Sequence, residues 1–323
     1  MPTSRQRPQR SRLGLVVVLG VMGWLVYMAV MGGFGSGPDY EKLAFRPLPY
    51  VVYGLKPDFE RSNGSRTNSV GFRGDEIEMP KPAGRFRILC LGGSTTYTSH
   101  VPDGQTYPEL LEQELRTLKP EMDIEVINGG VESYTSAESL ANLAYRCLEF
   151  EPDIVVVYHG ANDYRPRRYP DFDAGYADYR QPWSGSTEGF EQRSGELGGI
   201  NAFIQIPPRE SSTSEAENAR ANGTQVYRRN LLSLIGVARV HGIQPVLVTF
   251  APAADKISAD AAGWIAEHNE VVRDLCQEQG VPCIDFAPRM TQRPGLWADE
   301  VHVTPEGAAI KARLIAEDLA TYL

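Results

Sequence analysis

The chain is poor in the residues that build metal and disulfide frameworks. It has four cysteines and five histidines among 323 residues, and no Cys/His spacing resembles a structural metal site. Cys90, Cys147, Cys276 and Cys283 sit in apolar contexts, so buried free thiols are the default. Cys276 and Cys283, close in sequence, are the pair that an oxidising compartment could join. Basic charge is not in excess. Lys and Arg number 32 against 41 Asp and Glu, a net charge of −9, which excludes binding to nucleic acid through a basic face. Internal repeats are absent, which excludes solenoids and propellers. What is present is an ordinary globular composition, 42% hydrophobic and 23% charged, in a length that suits one or two domains.

One long apolar run stands out. Leu13 to Met31 carries no charge and follows Arg5, Arg7, Arg10 and Arg12. Nineteen residues, at ~1.5 Å each, cover about the hydrocarbon thickness of a bilayer. Arginines on the N-terminal side alone put that end in the cytoplasm and the rest outside. A cleaved signal peptide is the alternative, and a buried helix a third reading. The run exceeds the usual ~7–15 residues of a signal peptide, and no clear Ala-x-Ala site follows. The expectation is therefore a retained, single-pass transmembrane anchor over residues 1–37, with the remaining chain periplasmic or extracellular. Residues 38–84 are rich in Pro, Gly, Asn and Arg, with Tyr40, Tyr50, Tyr53, Phe59 and Phe72 between them. These aromatics predict an extension that wraps the main domain rather than a spacer.

From Arg85 strands and helices alternate. Apolar runs predict strands over Phe86–Leu91, Ile124–Ile127, Ile154–Tyr158, Pro245–Phe250 and Pro282–Phe286. Helices are predicted over Tyr107–Leu118, from Thr135 or Ser136 to Phe150, over Thr224–His241 and over Ala259–Gln279. Glu138 is the capping-box partner of Thr135, and Gly280 fits a C-terminal cap. Thr304 and Pro305 open a last helix. The alternation breaks over residues 164–223, too long for a plain connection. Its aromatics, including Tyr164, Tyr169, Phe172, Tyr176, Tyr179, Trp183 and Phe190, predict a segment that packs in part, as a lid or cleft wall suited to a sugar-like or amphiphilic substrate. A disordered insertion is the other reading.

In an open α/β sheet, ligands bind at the carboxyl ends of the strands. Four loops there carry reactive or hydrogen-bonding groups: Ser94 after Gly92-Gly93, Gly130 and Ser133 after the second strand, Asn162 after the third, and Asp299 with His302 before the last helix. Serine is a weak nucleophile until a base takes its proton. His302 can be that base, with Asp299 holding its other N–H. Backbone N–H groups of Ser94 and Ser133 and the amide of Asn162 can serve an oxyanion, with Gly130 the fallback for Ser133. Each piece alone is more often a plain turn. His100, His159, His241 and His268 lack such a setting and read as structural.

Together, Gly92-Gly-Ser94-Thr95, Asn128-Gly-Gly-Val-Glu-Ser133, Gly160-Ala-Asn162-Asp163 and Asp299-Glu-Val-His302 resemble the blocks of the SGNH (GDSL-like) hydrolase family over about residues 85–323. The resemblance implies a flavodoxin-like, three-layer α/β/α fold with a five-stranded parallel sheet in order 2-1-3-4-5. It implies ester hydrolysis through an acyl-serine, with Ser94, His302 and Asp299 as triad and no cofactor or metal. The first block departs from Gly-Asp-Ser, and Ser133 stands where the family places a glycine. Expected substrates are O-acyl groups of carbohydrate or lipid. An O-acyltransferase acting on exported polysaccharide, or a catalytically silent anchored binding module, are the alternative readings.

Overall fold

The structure, a computed structural model, describes residues 44–181, Gly189, 204–206 and 209–323. The predicted membrane span over residues 13–31 lies outside these. Among the described residues no helix is long and apolar enough to cross a membrane.

A short antiparallel pair, β1 (Phe45–Arg46) and β2 (Gly54–Leu55), leads the chain. The central sheet has five parallel strands: β3 (Arg85–Gly92), β4 (Asp123–Gly130), β5 (Ile154–Tyr158), β6 (Gln244–Val248) and β7 (Cys283–Ile284). They lie in the order β4-β3-β5-β6-β7, which is the 2-1-3-4-5 order that the resemblance implies. Among the described residues the helices are α1 (Ser94–Tyr97), α2 (Tyr107–Leu118), α3 (Ser136–Tyr145), α4 (Glu215–Asn222), α5 (Gln225–Val240), α6 (Ala259–Gln279), α7 (Ala287–Met290) and α8 (Pro305–Leu319).

The three layers follow from strand periodicity. Successive side chains of a strand point to opposite faces. Ile88, Cys90, Ile154, Val156 and Tyr158 enter one core with Leu111 and Leu115 of α2 and Ala312 and Ile315 of α8. Leu89, Leu91, Val155 and Val157 enter the other with Leu143, Leu231 and Leu275. Caps set the helix ends. Thr106 with Glu109 and Thr135 with Glu138 form capping boxes, and Thr304 accepts from the Gly307 N–H. Gly280 ends α6 in the left-handed region at φ 58°.

Some bounds differ from expectation. β4 runs on to Gly130 because Asn128-Gly129-Gly130 continues to pair with Cys90-Leu91-Gly92. The helix expected to reach Phe150 stops at Tyr145, where Arg146 leaves helical geometry at φ −134° and a 3₁₀ turn follows over Cys147–Phe150. The side chain of Arg146 turns back to Asn142 Oδ1 and the Val70 carbonyl. β6 and β7 are shorter than their apolar runs. All four cysteines are free, so Cys276 and Cys283 are not joined.

The extension over residues 44–84 packs on the sheet domain. Phe72 is fully buried in the second core. The Tyr53 hydroxyl donates to the Glu132 carbonyl at 2.5 Å, and Arg61 forms a two-point ion pair with the Glu132 carboxylate at 2.8 and 2.5 Å. The insertion also packs inward. Tyr169, Tyr176 and Tyr179 bury one another, and Tyr164 lies against Trp264. Tyr169, Tyr176 and Tyr179 are therefore core, the partial packing that the aromatics predict, and these three do not face a substrate; Tyr164 is half-buried. Trp183 and Phe190 lie outside the described residues.

His268 of α6 ties this core to the sheet. It is fully buried and stacks on Tyr227 with ring centres 4.3 Å apart. Arg167 Nη1 donates to its Nε2 at 3.3 Å, which leaves Nδ1–H to donate to the Gly160 carbonyl at 3.3 Å. Burial is the main cause that lowers its pKa from 6.5 to about 4, with the Arg167 charge adding to the effect. The unfolded chain thus binds this proton between about pH 6.5 and 4, and the folded chain does not. That stability is complete above pH 6.5 and is lost as the pH falls toward 4. Thermal melts of wild type and His268→Asn across this window should show the shallower acid loss in the variant.

Candidate active site

Ser94 stands where β3 ends. The strand closes with Gly92, whose carbonyl accepts from the Val131 N–H at 3.1 Å. Gly93 follows in extended geometry, and α1 begins at Ser94. A Cβ on Gly93 would sit 2.5 Å from Asn162 Nδ2, and one on Gly130 would sit 2.2 Å from the Tyr97 nitrogen. Glycine at both positions lets β4, α1 and the Asn162 loop approach one another closely.

Helix α1 is one turn long, and its last carbonyls need partners. Thr98 ends it in the left-handed region at φ 64°. Arg73 of the extension, only 2% exposed, supplies the donors. It reaches the carbonyls of Tyr97 at 2.9 Å, Thr98 at 2.8 Å and Val101 at 2.5 Å, and pairs with Asp103 at 2.8 Å. On the inner side, the amine of Lys311 donates to the Thr95 carbonyl at 3.1 Å. It lies between the rings of Tyr107 and Tyr158, 3.8 and 3.7 Å from their centres. Burial holds its pKa well below the usual lysine range.

His302 and Asp299 share one tight loop ahead of α8. The Thr304 N–H donates to the Leu296 carbonyl at 3.0 Å, and the Ala298 N–H to the His302 carbonyl at 2.8 Å. Asp299 Oδ1 accepts from the N–H groups of Val301 at 2.9 Å and His302 at 2.8 Å. Its Oδ2 lies 2.7 Å from His302 Nδ1, and His302 Nε2 lies 2.7 Å from Ser94 Oγ. A continuous relay thus joins residues 208 apart in sequence.

The electrostatics poise this relay for proton transfer. Burial disfavours the Asp299 anion, but the two backbone N–H groups and His302 outweigh it, so its pKa lies below the usual carboxylate value. Burial, the largest cause, lowers the His302 pKa; Asp299 opposes it, and His100 and Arg165 add to it. His302 is therefore neutral at pH 7 with its proton on the Asp299 side, and a lone pair faces the serine.

Asn162 joins them. Its amide donates to the Tyr134 carbonyl at 2.9 Å, which fixes its orientation and leaves its second hydrogen for the cleft. The Asn162 loop is held through Asp163, which is buried. Asp163 Oδ1 accepts from the Ser136 N–H at 2.8 Å and the Ser136 hydroxyl at 2.6 Å, at the start of α3. Ser133 adopts the left-handed region at φ 63°. It is not among the residues that line the cleft at Ser94. Gly130 is corrected as the fallback donor, because its N–H is committed to Asn128 Oδ1 at 3.1 Å.

The Ser133 loop is fixed by a buried ion pair that sequence reasoning missed. Arg180, from the insertion, donates to Glu138 Oε1 at 2.6 Å and to the Ser133 carbonyl at 2.7 Å. His100 was also missed. It was read as structural, yet its Nε2 lies 3.4 Å from Asp299 Oδ2 and its ring meets that of His302 edge-on at 5.0 Å. No local pattern marks either residue. His159 is buried, bonded to Ser139 at 2.7 Å, and also lines the cleft over Ser94.

The cleft over Ser94 is lined by Gly93, Tyr158, Ala161, Asn162, Phe250 and His302 among others, and leaves about 20 Å³. A larger cavity of about 810 Å³ lies along β4, between Arg73, Glu112, Arg116 and Glu125. Ser94 and His302 do not line it, so its size does not make it the reaction site.

A hydroxyl, imidazole and carboxylate in relay at the carboxyl edge of a parallel sheet are the triad of a serine hydrolase. The sequence profile of the GDSL-like lipase/acylhydrolase family matches residues 90–310, and the chain belongs to that family. It is 34% identical over 77 residues to an arylesterase from Vibrio mimicus, a stretch spanning 24% of this chain and 38% of that enzyme. The lipase/acylhydrolase from Enterococcus faecalis superposes with a TM-score of 0.49 at 20% identity, covering 74% of this chain and 97% of the other. An acetylxylan esterase from Geobacillus stearothermophilus gives 0.49 at 16% identity, covering 72% and 94%.

Arg180→Met should cost about 3–5 kcal/mol, because it leaves the Glu138 carboxylate buried without its cation. Denaturant unfolding of the variant measures this; a change under about 1 kcal/mol would show that the ion pair does not hold the Ser133 loop.

Proposed function

We propose that this protein is a serine esterase that works through an acyl-serine intermediate and removes short O-acyl groups from carbohydrate or lipid outside the cytoplasmic membrane. The observation that carries the reading is the unbroken relay from Asp299 Oδ2 to His302 to Ser94 Oγ, with both links at 2.7 Å.

The chemistry follows from that geometry. His302 Nε2 takes the Ser94 proton as Oγ attacks the ester carbonyl, and Asp299 stabilises the imidazolium that forms. The oxyanion is received by the Ser94 N–H and the second amide hydrogen of Asn162. Collapse breaks the ester C–O bond, and His302 returns the proton to the leaving alkoxide. Water then attacks the acyl-serine, with His302 again as base. A preference for short acyl groups is supported by the cleft of about 20 Å³, little more than the ~10–15 Å³ that one water molecule occupies by the same measure. Location is supported by the uncharged run Leu13–Met31 behind four arginines, which would anchor the enzyme with its catalytic domain outward.

A fluorophosphonate probe should label wild type at Ser94, and p-nitrophenyl acetate should be turned over faster than the octanoate. Ser94→Ala should lose the label and at least about 10³-fold in turnover while keeping its fold. Labelling of another residue would remove Ser94 from this role.

Because the His302 pKa lies below the ordinary 6.5, the acid limb of kcat/KM should have its midpoint below pH 6.5. Activity then persists into mildly acid solution, since the base is lost only when it is protonated. A midpoint above 6.5 would contradict the burial of His302.

A further inference from the structure

We propose that His100, Asp299 and His302 form a binding site for one divalent transition-metal ion of the Zn²⁺ class, and that the ion reversibly switches the esterase off. The inhibitory part rests on the function proposed above; the binding part does not.

The ligand set comes from two loops, one after α1 and one before α8. Each residue offers one ligand atom, and the three atoms lie within 4.8 Å of one another. His100 Nε2 is 3.4 Å from Asp299 Oδ2, and His302 Nδ1 is 2.7 Å from the same oxygen. A tetrahedral ion with bonds of about 2.1 Å holds its ligand atoms about 3.4 Å apart. The His100–Asp299 separation already matches, and the His302–Asp299 separation must open from 2.7 Å by about 0.7 Å. Asp299 Oδ1 stays bound to the N–H groups of Val301 and His302, so its carboxylate remains oriented while Oδ2 is given to the ion. This is the support that metal-ligating carboxylates require.

The donor set selects the metal. Two imidazoles and one carboxylate suit Zn²⁺, Co²⁺, Ni²⁺ and Cu²⁺, whereas Mg²⁺ and Ca²⁺ demand more oxygen ligands. The side chains of His100 and Asp299 are 51% and 44% exposed, so an ion can enter from solvent and keep a water as fourth ligand.

Coordination at this place reverses the tautomer of the base. In the working state His302 carries its proton on Nδ1, toward Asp299, and its Nε2 lone pair faces Ser94. An ion takes the Nδ1 lone pair. The neutral ring then holds its single proton on Nε2, 2.7 Å from Ser94 Oγ, where it can no longer accept one. The imidazole carries one N–H before and after, so the ring neither gains nor loses a proton; it is displaced from the nitrogen that binds metal to the nitrogen that must be bare.

The test uses untagged Ser94→Ala protein, which cannot turn over ester, and Zn²⁺ alone in isothermal titration calorimetry. One ion should bind per chain, and adding His100→Ala should weaken binding by at least about 10–100-fold. Co²⁺ in place of Zn²⁺ should give the visible d–d absorption of a tetrahedral site in Ser94→Ala and not in the double variant. In the Ser94-containing enzyme, Zn²⁺ should inhibit hydrolysis and EDTA restore it. The inhibiting concentration, measured against each protein's own metal-free rate, should rise in His100→Ala by the same factor. Binding that is absent, or unchanged without His100, would overturn the site. Binding through His100 without inhibition would overturn the switch. Binding to Ser94→Ala is read independently of turnover, so a protein that binds Zn²⁺ yet hydrolyses no ester would refute the esterase reading and leave the metal site standing.

Discussion

The bond between His302 Nε2 and Ser94 Oγ is the constraint to which the remaining architecture answers. It closes at 2.7 Å between groups 208 positions apart, so each partner must be held by something more rigid than its own loop. Ser94 rides on a one-turn helix clamped from both sides: Arg73 gathers the trailing carbonyls, and Lys311 reaches the Thr95 carbonyl from α8. The histidine is held by an aspartate that spends one oxygen on its own loop's backbone and the other on the ring. Lys311 lies on the helix that His302 immediately precedes, so α8 positions the base and braces the nucleophile together.

Charge is arranged around this relay with opposing effects. Burial alone would neutralise Asp299 and leave His302 without an orienting charge; two backbone N–H groups reverse that outcome for the carboxylate. No such compensation rescues the cationic form of His302, where burial prevails over its partner. The same environment thus keeps an anion charged and an imidazole neutral, the division of labour that base catalysis needs.

Much of this was legible in the sequence because it is local. A buried apolar run ending in two glycines, a capping pair such as Thr135 with Glu138, and a Thr-Pro helix start each carry their signal within a few residues. The sheet order came with the resemblance of the four blocks to a known family, and the meeting of Ser94, His302 and Asn162 from placing such pieces on one sheet edge. What stayed hidden is long-range or non-periodic. Arg180 finds Glu138 across 42 positions, Arg73 finds the end of α1 across 24, and His100 reaches a loop 199 residues away. Nothing near any of them in the chain announces its partner. The tyrosines of the insertion misled for a related reason: aromatic rings beside polar residues look alike whether they face a sugar or bury one another. Gly130 misled because composition does not show that its N–H is already taken by Asn128.

The place of α8 in the chain has a consequence for biosynthesis. The nucleophile, its turn and Asn162 emerge early, and the strand at the far edge of the sheet must be added before the closing helix can dock beneath α1. A polypeptide from which that helix is missing still contains His302, but it lacks the Lys311 amine that braces the Thr95 carbonyl and the helix that the His302 loop leads into. Removing α8 would therefore leave Ser94, Asp299 and His302 all in the chain and yet take away the element that couples the nucleophile's turn to the base.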